Sequence, residues 1–135
     1  MSTVSDFYFE LVSPEKCVFL EVVRSVILPA VSGDITVLIG HSSLLTTVKP
    51  GIITIELPCG DLRRYVVFEG VSDITPFRCT VLSETIFSMG EGCVDTLNKR
   101  IEEIQHDLDG GNHEPCQRSQ LENFLVDLSR LRTIL

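Results

Sequence analysis

The chain has 135 residues, 44% of them hydrophobic, with 11 Lys and Arg against 19 Asp and Glu for a net charge of −8. That length holds one ordinary domain, or a core of about 90 residues with a small appendage, and leaves no room for an elaborate multi-domain enzyme. The acidic balance repels phosphate backbones and anionic headgroups, which argues against nucleic acid and against direct binding to a lipid surface.

The first residues, MSTVSDFYFELVSPE, carry acidic groups where a secretion signal needs a basic segment followed by an apolar one, so the chain is expected to stay where it is made. From Phe7 the pattern has period two: Phe7, Phe9 and Leu11 alternate with Tyr8, Glu10 and Val12, which predicts a strand. Strand-like runs follow at Cys17 to Leu20, Val22 to Leu28, Thr36 to Ile39, Leu44 to Val48, Ile52 to Leu57, Leu62 to Glu69, Val71 to Ile74 and Arg78 to Glu84. Turn-forming residues separate them: Ser13-Pro14-Glu15, Ser32-Gly33-Asp34, Gly40-His41, Lys49-Pro50-Gly51 and Pro58-Cys59-Gly60-Asp61. Many short strands without intervening helices predict an antiparallel β-sandwich or flattened barrel over residues 1–88. The run from Val22 to Pro29 is broken by Arg24, Ser25 and Pro29, and nothing approaches the ~18 apolar residues of a membrane span. Membrane insertion is not expected, and any membrane association must come through a partner.

After Ser88 the alternation stops at Met89-Gly90-Glu91-Gly92, and a second module, residues 89–135, begins. Val94, Leu97, Ile101, Ile104 and Leu108 fall on one stripe of a helix. Asp109-Gly110-Gly111-Asn112 stops it, and Leu121, Phe124, Leu125, Leu128, Leu131 and Leu135 form the stripe of a second. Pro115 suits the first turn of that helix, and His113 is expected to help start it, while Arg130 and Arg132 suit its C-terminal dipole. The short connection predicts an antiparallel helical hairpin. Two such helices hold little stability alone and need a docking surface. A plainly docked hairpin and an order-changing switch on the Gly90–Gly92 hinge both satisfy that requirement.

Chemistry is hard to place. The five cysteines, Cys17, Cys59, Cys79, Cys93 and Cys116, include no CxxC pair and read as reduced thiols. His41, His106 and His113 lie on different elements at no metal-ligand spacing. Ser42 and Ser43 follow Gly40-His41, but Leu44 stands where a nucleophile elbow needs its second glycine. Gly90-Glu91-Gly92 lacks the third glycine and the strand-helix setting of a dinucleotide site. No cofactor, metal or catalytic residue is therefore expected, and a binding, coupling or regulatory role remains.

FELVSPEK, then VILPAVSGDITVLIGHSSLLTTVKPGIITI, YVVFEGV, TVLSETI and a terminal LSRLRTIL together resemble the epsilon-subunit family of bacterial F-type ATP synthases, called delta in mitochondria. The most specific part is LP-x-x-x-G-x-x-x-VL-x-GH followed by KPG. The resemblance implies a ten-stranded sandwich of two five-stranded sheets with two antiparallel C-terminal helices. It also implies a non-catalytic rotor subunit that binds the gamma subunit, rests on the membrane-embedded c-ring and couples ring rotation to ATP synthesis. The location implied is peripheral, on the cytoplasmic face of the bacterial inner membrane.

By the same resemblance, the turns carrying Asp34 and His41-Ser42 lie at one end of the sandwich, facing the polar loops of the c-ring; the simpler reading of His41 is that it bonds and fixes its own turn. Some members bind ATP through an (Ile or Leu)-Asp-x-x-Arg-Ala pattern. Here Asp95 keeps the aspartate, while Asn98 and Lys99 replace the arginine and alanine. Others inhibit ATP hydrolysis when basic helices reach an acidic segment of the beta subunit. The second helix carries Arg118, Arg130 and Arg132 against Glu114, Glu122 and Asp127, so its charge cancels and weak inhibition is expected. Two other readings stand beside this one: a free-standing nucleotide-sensing module, and a hydrolase using His41 with Ser42 or Ser43.

Overall fold

The computed structural model describes residues 6–88, 93–111 and 114–134, in two compact units that divide between Ser88 and Met89. The expected Gly90–Gly92 hinge, the helix-starting role of His113 and the terminal Leu135 lie outside the described residues.

The first unit contains ten strands: β1 (Tyr8–Val12), β2 (Cys17–Val22), β3 (Ser25–Ala30), β4 (Gly33–Leu38), β5 (Leu44–Val48), β6 (Gly51–Glu56), β7 (Leu62–Val67), β8 (Gly70–Ile74), β9 (Arg78–Leu82) and β10 (Ile86–Ser88). They follow the order β10-β7-β6-β3-β5-β8-β9-β1-β2, with β4 also paired to β3. β3 meets β5 through the single pair Ala30 with Val48, so the path is two five-stranded layers joined at that point. The pairing is antiparallel except between β1 and β9, which run parallel from Tyr8 opposite Arg78 to Val12 opposite Leu82. No short crossover is needed there, because almost the whole unit lies between the two strands in sequence.

Period-two alternation sets what is buried. Phe9 and Leu11 of β1, Val26 and Leu28 of β3, Ile53 and Ile55 of β6, and Cys79 and Val81 of β9 all point into one core. Each fully buried aliphatic or aromatic side chain contributes about 1.5–3 kcal/mol relative to exposure. Phe19 of β2 bridges the layers, its ring centroid 5.9 Å from Phe9 and 6.0 Å from Tyr65 of β7. The buried Ser72 hydroxyl lies 3.7 Å from Cys79 Sγ, and the Ser83 hydroxyl donates to the carbonyls of Glu69 and Thr85.

Two separated pieces of the LP…KPG pattern meet in this fold. A Cβ on Gly51 would stand 2.6 Å from Cβ of Pro29, closer than carbon atoms pack, so only glycine fits beside that proline. The Lys49 amide, just before, donates to the Pro29 carbonyl at 2.8 Å.

The second unit is a hairpin of α1 (Cys93–Asp109) and α2 (Pro115–Ile134). Leu97, Ile104 and Leu108 of α1 and Leu128 and Leu131 of α2 are buried, as the stripe pattern expects, whereas Val94 on the same stripe is exposed. Val94 lies in the first turn, where the helix has least around it. α1 ends as the amides of Gly110 and Gly111 turn back to the carbonyls of His106 and Leu108. α2 starts with Pro115 in the first position, and the Arg118 amide donates to the Glu114 carbonyl at 2.9 Å.

Candidate functional site

β3 and β4 form a hairpin whose last pair is Ala30 with Gly33, leaving Val31 and Ser32 as its two-residue loop. Asp34 is therefore not in a turn, as expected, but in β4 opposite Pro29, with its side chain exposed. The turn-forming chemistry of Gly33 and Asp34 belongs to a tight hairpin whose loop is one step earlier.

β4 then runs to Leu38, and the chain turns at Gly40. That residue sits at φ +84°, in the left-handed region that favours glycine, and its amide donates to the Pro76 carbonyl at 2.7 Å. The His41 amide closes the turn on the Leu38 carbonyl at 3.1 Å. His41 Nδ1 lies 2.6 Å from the Ser42 carbonyl oxygen. A carbonyl can only accept, so Nδ1 carries the proton, and Nε2 is the ring atom left to meet a partner. His41 thus fixes its own turn, and it does so beside an exposed Ser42.

The expectation that both turns share one end of the sandwich is not met. β4 separates Asp34 from His41, and a strand rises about 3.3 Å per residue, so the two lie at opposite ends of that strand. The two ends also differ chemically. At the Asp34 end the loop residues are Val31, a single apolar group 64% exposed, and Ser32. At the His41 end, Ile39 flanks Gly40, Phe77 follows the Pro76 that holds Gly40, and Leu44 and Leu45 begin β5; all four are exposed, Leu45 at 70% and Phe77 at 57%. Large apolar groups gathered in this way mark a binding surface more often than an ordinary surface. Sequence reasoning passed over them. The signal was present in Leu44-Leu45, because period two must turn one of two consecutive leucines outward.

In the hairpin, Asp95 is exposed in the first turn of α1, where a carboxylate complements the helix dipole. The arginines are largely engaged within the unit. Arg118 Nη1 donates to the Leu108 carbonyl at 3.3 Å, and its Nε donates to Glu122 at 3.2 Å. Arg132 Nη1 donates to Asn98 Oδ1 at 3.2 Å, and the Arg100 guanidinium lies 5.9 Å from the Phe124 ring centroid. Arg130 is exposed and has no hydrogen bond or ion pair among the described residues.

Among the described residues, no group of three or more His, Cys, Asp or Glu could hold a metal ion, and no helix is long and apolar enough to cross a membrane. His41 and Ser42 meet through a backbone carbonyl, and the hydroxyl-to-imidazole bond of a nucleophile-base pair is not seen between them among the described residues. Burial raises the Cys79 thiol to about 11, partly offset by the Ser72 hydroxyl and reinforced by Asp73. That makes Cys79 an inert core group. Cys17, Cys59 and Cys116 are exposed free thiols.

Residues 6–89 match the family described as the ATP synthase delta/epsilon chain, beta-sandwich domain. The chain is 40% identical over 129 residues to an ATP synthase epsilon chain of Agrobacterium fabrum, covering 96% of this chain and 95% of that one. It is 41% identical over 131 residues to that of Allorhizobium ampelinum, covering 96% of each. Among solved structures, a chain of the Euglena gracilis mitochondrial ATP synthase OSCP/F1/c-ring assembly superposes with a TM-score of 0.73 at 18% identity, covering 99% of this chain and 84% of that chain. A chain of the Tetrahymena thermophila mitochondrial ATP synthase central stalk and c-ring gives 0.64 at 13% identity, covering 98% and 97%. At such identities these structures speak to the fold, whereas the sequence matches run through both units, and by them the chain belongs to the ATP synthase delta/epsilon-chain family.

Proposed function

We propose that this chain is a non-catalytic rotor subunit of an F-type ATP synthase, carried at the periphery of the bacterial inner membrane on its cytoplasmic face. It binds the gamma subunit and the c-ring and couples ring rotation to ATP synthesis. The observation that carries this reading is the roughly 40% identity to ATP synthase epsilon chains along 96% of the chain.

The chemistry of the two ends of β4 divides the partners. The apolar group Ile39, Leu44, Leu45 and Phe77, with His41 among them, suits burial against gamma. The hairpin end with Ser32 and Asp34 suits the polar loops of the ring, so His41 and Ser42 leave the ring-facing set. The C-terminal helices are at most a weak brake on the beta subunit. α2 itself carries only one net positive charge, three arginines against Glu122 and Asp127, with Glu114 just before its first residue, and Arg118 and Arg132 already hold partners within the hairpin.

The test is co-purification with gamma, followed by ATP hydrolysis of the assembled catalytic complex with and without residues Gly92 to Leu135. Gamma binding that survives Asp34→Ala and is lost in Phe77→Asp supports the division of partners. Failure of the wild-type chain to bind gamma removes the whole reading, and a several-fold rise in hydrolysis on truncation removes the weak-brake part alone.

A further inference from the structure

The hairpin's arginines bind across it at both ends. Near the loop, Arg118 of α2 reaches the Leu108 carbonyl in the last turn of α1. A guanidinium there adds a second donor to a carbonyl that already accepts from the Gly111 amide, and it faces the negative end of the α1 dipole. At the other end, Arg132 in the last turn of α2 reaches Asn98 in the second turn of α1, 34 residues away in sequence. Between them, Arg100 of α1 lies over Phe124 of α2.

We propose that Arg118 and Arg132 form a two-point clasp that holds α1 and α2 together without a bound ligand. Separating the helices requires both guanidinium contacts to break. Arg130, exposed on the same helix, has no side-chain hydrogen bond or ion pair among the described residues. Asn98 is central to the clasp: its amide oxygen accepts from Arg132, which an arginine at the same position would repel.

The experiment is hydrogen exchange read by mass spectrometry on the full chain, following peptides from 93–111 and 114–134, with β6 peptides as an internal control. Exposed hydrogen bonds of this kind correspond to about two- to five-fold in an opening equilibrium. Arg132→Met and Asn98→Ala are each expected to speed exchange in both helices by about that factor, and the double variant by no more than either alone. Arg132→Lys, which keeps a donor, restores part of the protection, and Arg118→Met speeds exchange most at the loop end. Arg130→Met leaves exchange unchanged. The clasp is overturned if Arg132→Met and Asn98→Ala act additively or leave exchange at the wild-type rate, or if Arg130→Met has the same effect as Arg132→Met.

Discussion

The sandwich and the hairpin reach order by different means. In the sandwich, β1 pairs with β9 across most of the unit, and one core collects side chains from both layers. In the hairpin, two local helices meet along a seam with Leu97, Ile104, Leu108, Leu128 and Leu131 as its buried members, helped by a few arginine contacts. Non-local pairing ties most strands to a neighbour far along the chain, β2 and β4 being held by the adjacent β1 and β3, so a local fault is resisted by the rest. A helix pair has only its seam and its ends, and small changes there move it between states.

The largest effect should separate the two units directly. Phe9→Ala opens a cavity in the sandwich core and is expected to lower its unfolding free energy by about 3–5 kcal/mol, read by urea denaturation. Leu128→Ala removes one buried seam residue and should cost about 2–4 kcal/mol, seen as lost helical circular dichroism while the strand signal persists. If Leu128→Ala instead abolishes the strand signal as well, the division into two units is wrong.

Next in size is Gly51→Ala. Its new methyl meets Pro29, and the sandwich should lose about 1–3 kcal/mol with no change in helicity.

Thiol chemistry sharpens the contrast further. Cys116 on α2 should alkylate readily under native conditions, as should Cys17 and Cys59, whereas Cys79 should react only as the sandwich unfolds. The folded thiol of Cys79 titrates at about 11 against an ordinary value of 9.0. Its contribution to stability is therefore fully present below pH 9.0 and lost as pH rises through about 11. Cys79→Ala should flatten that part of the stability profile; an unchanged slope would remove the assignment.

The smallest effect is expected on the sandwich surface. The Arg24–Glu56 pair, 3.8 Å apart and exposed, should change stability by less than about 1 kcal/mol on Arg24→Met, in keeping with its open setting.

What the sequence revealed follows the same division. Strands with clean alternation, such as β1, β6 and β9, were legible because burial on one face imposes period two. β10 was not, since Ile86–Ser88 is three residues long and half-buried throughout, too short to show a period. β3 was read as beginning at Val22 and ending at Leu28 because Arg24 and Pro29 were weighed only as local signals. Pro29 is tolerated in β3 because its ring faces Gly51 and its carbonyl, not a missing N–H, makes the bond to Lys49. Of the helix stripes, Leu97, Ile104, Leu108, Leu128 and Leu131 are buried, Ile101, Leu121, Phe124 and Leu125 are half-buried, and Val94 is exposed. Of the candidate site, the sequence singles out Asp34, His41 and Ser42 but not their separation, since motif spacing counts residues and says nothing of the direction a strand carries them. The apolar group around His41 depends on Pro76 meeting Gly40, a contact no local pattern contains.

The parallel pairing of β1 with β9 also sets an order of events during synthesis. Glu10 and Thr80 are 70 residues apart, so β1 waits for the last strand of its own layer. Until then the β1–β2 ribbon has an open edge in the crowded surroundings of a nascent chain, where stray pairing with other chains competes with waiting. The helices follow that strand in the chain. A chain truncated after β10 should therefore still complete its sandwich as it is translated, whereas one that stops before β9 should accumulate as aggregate.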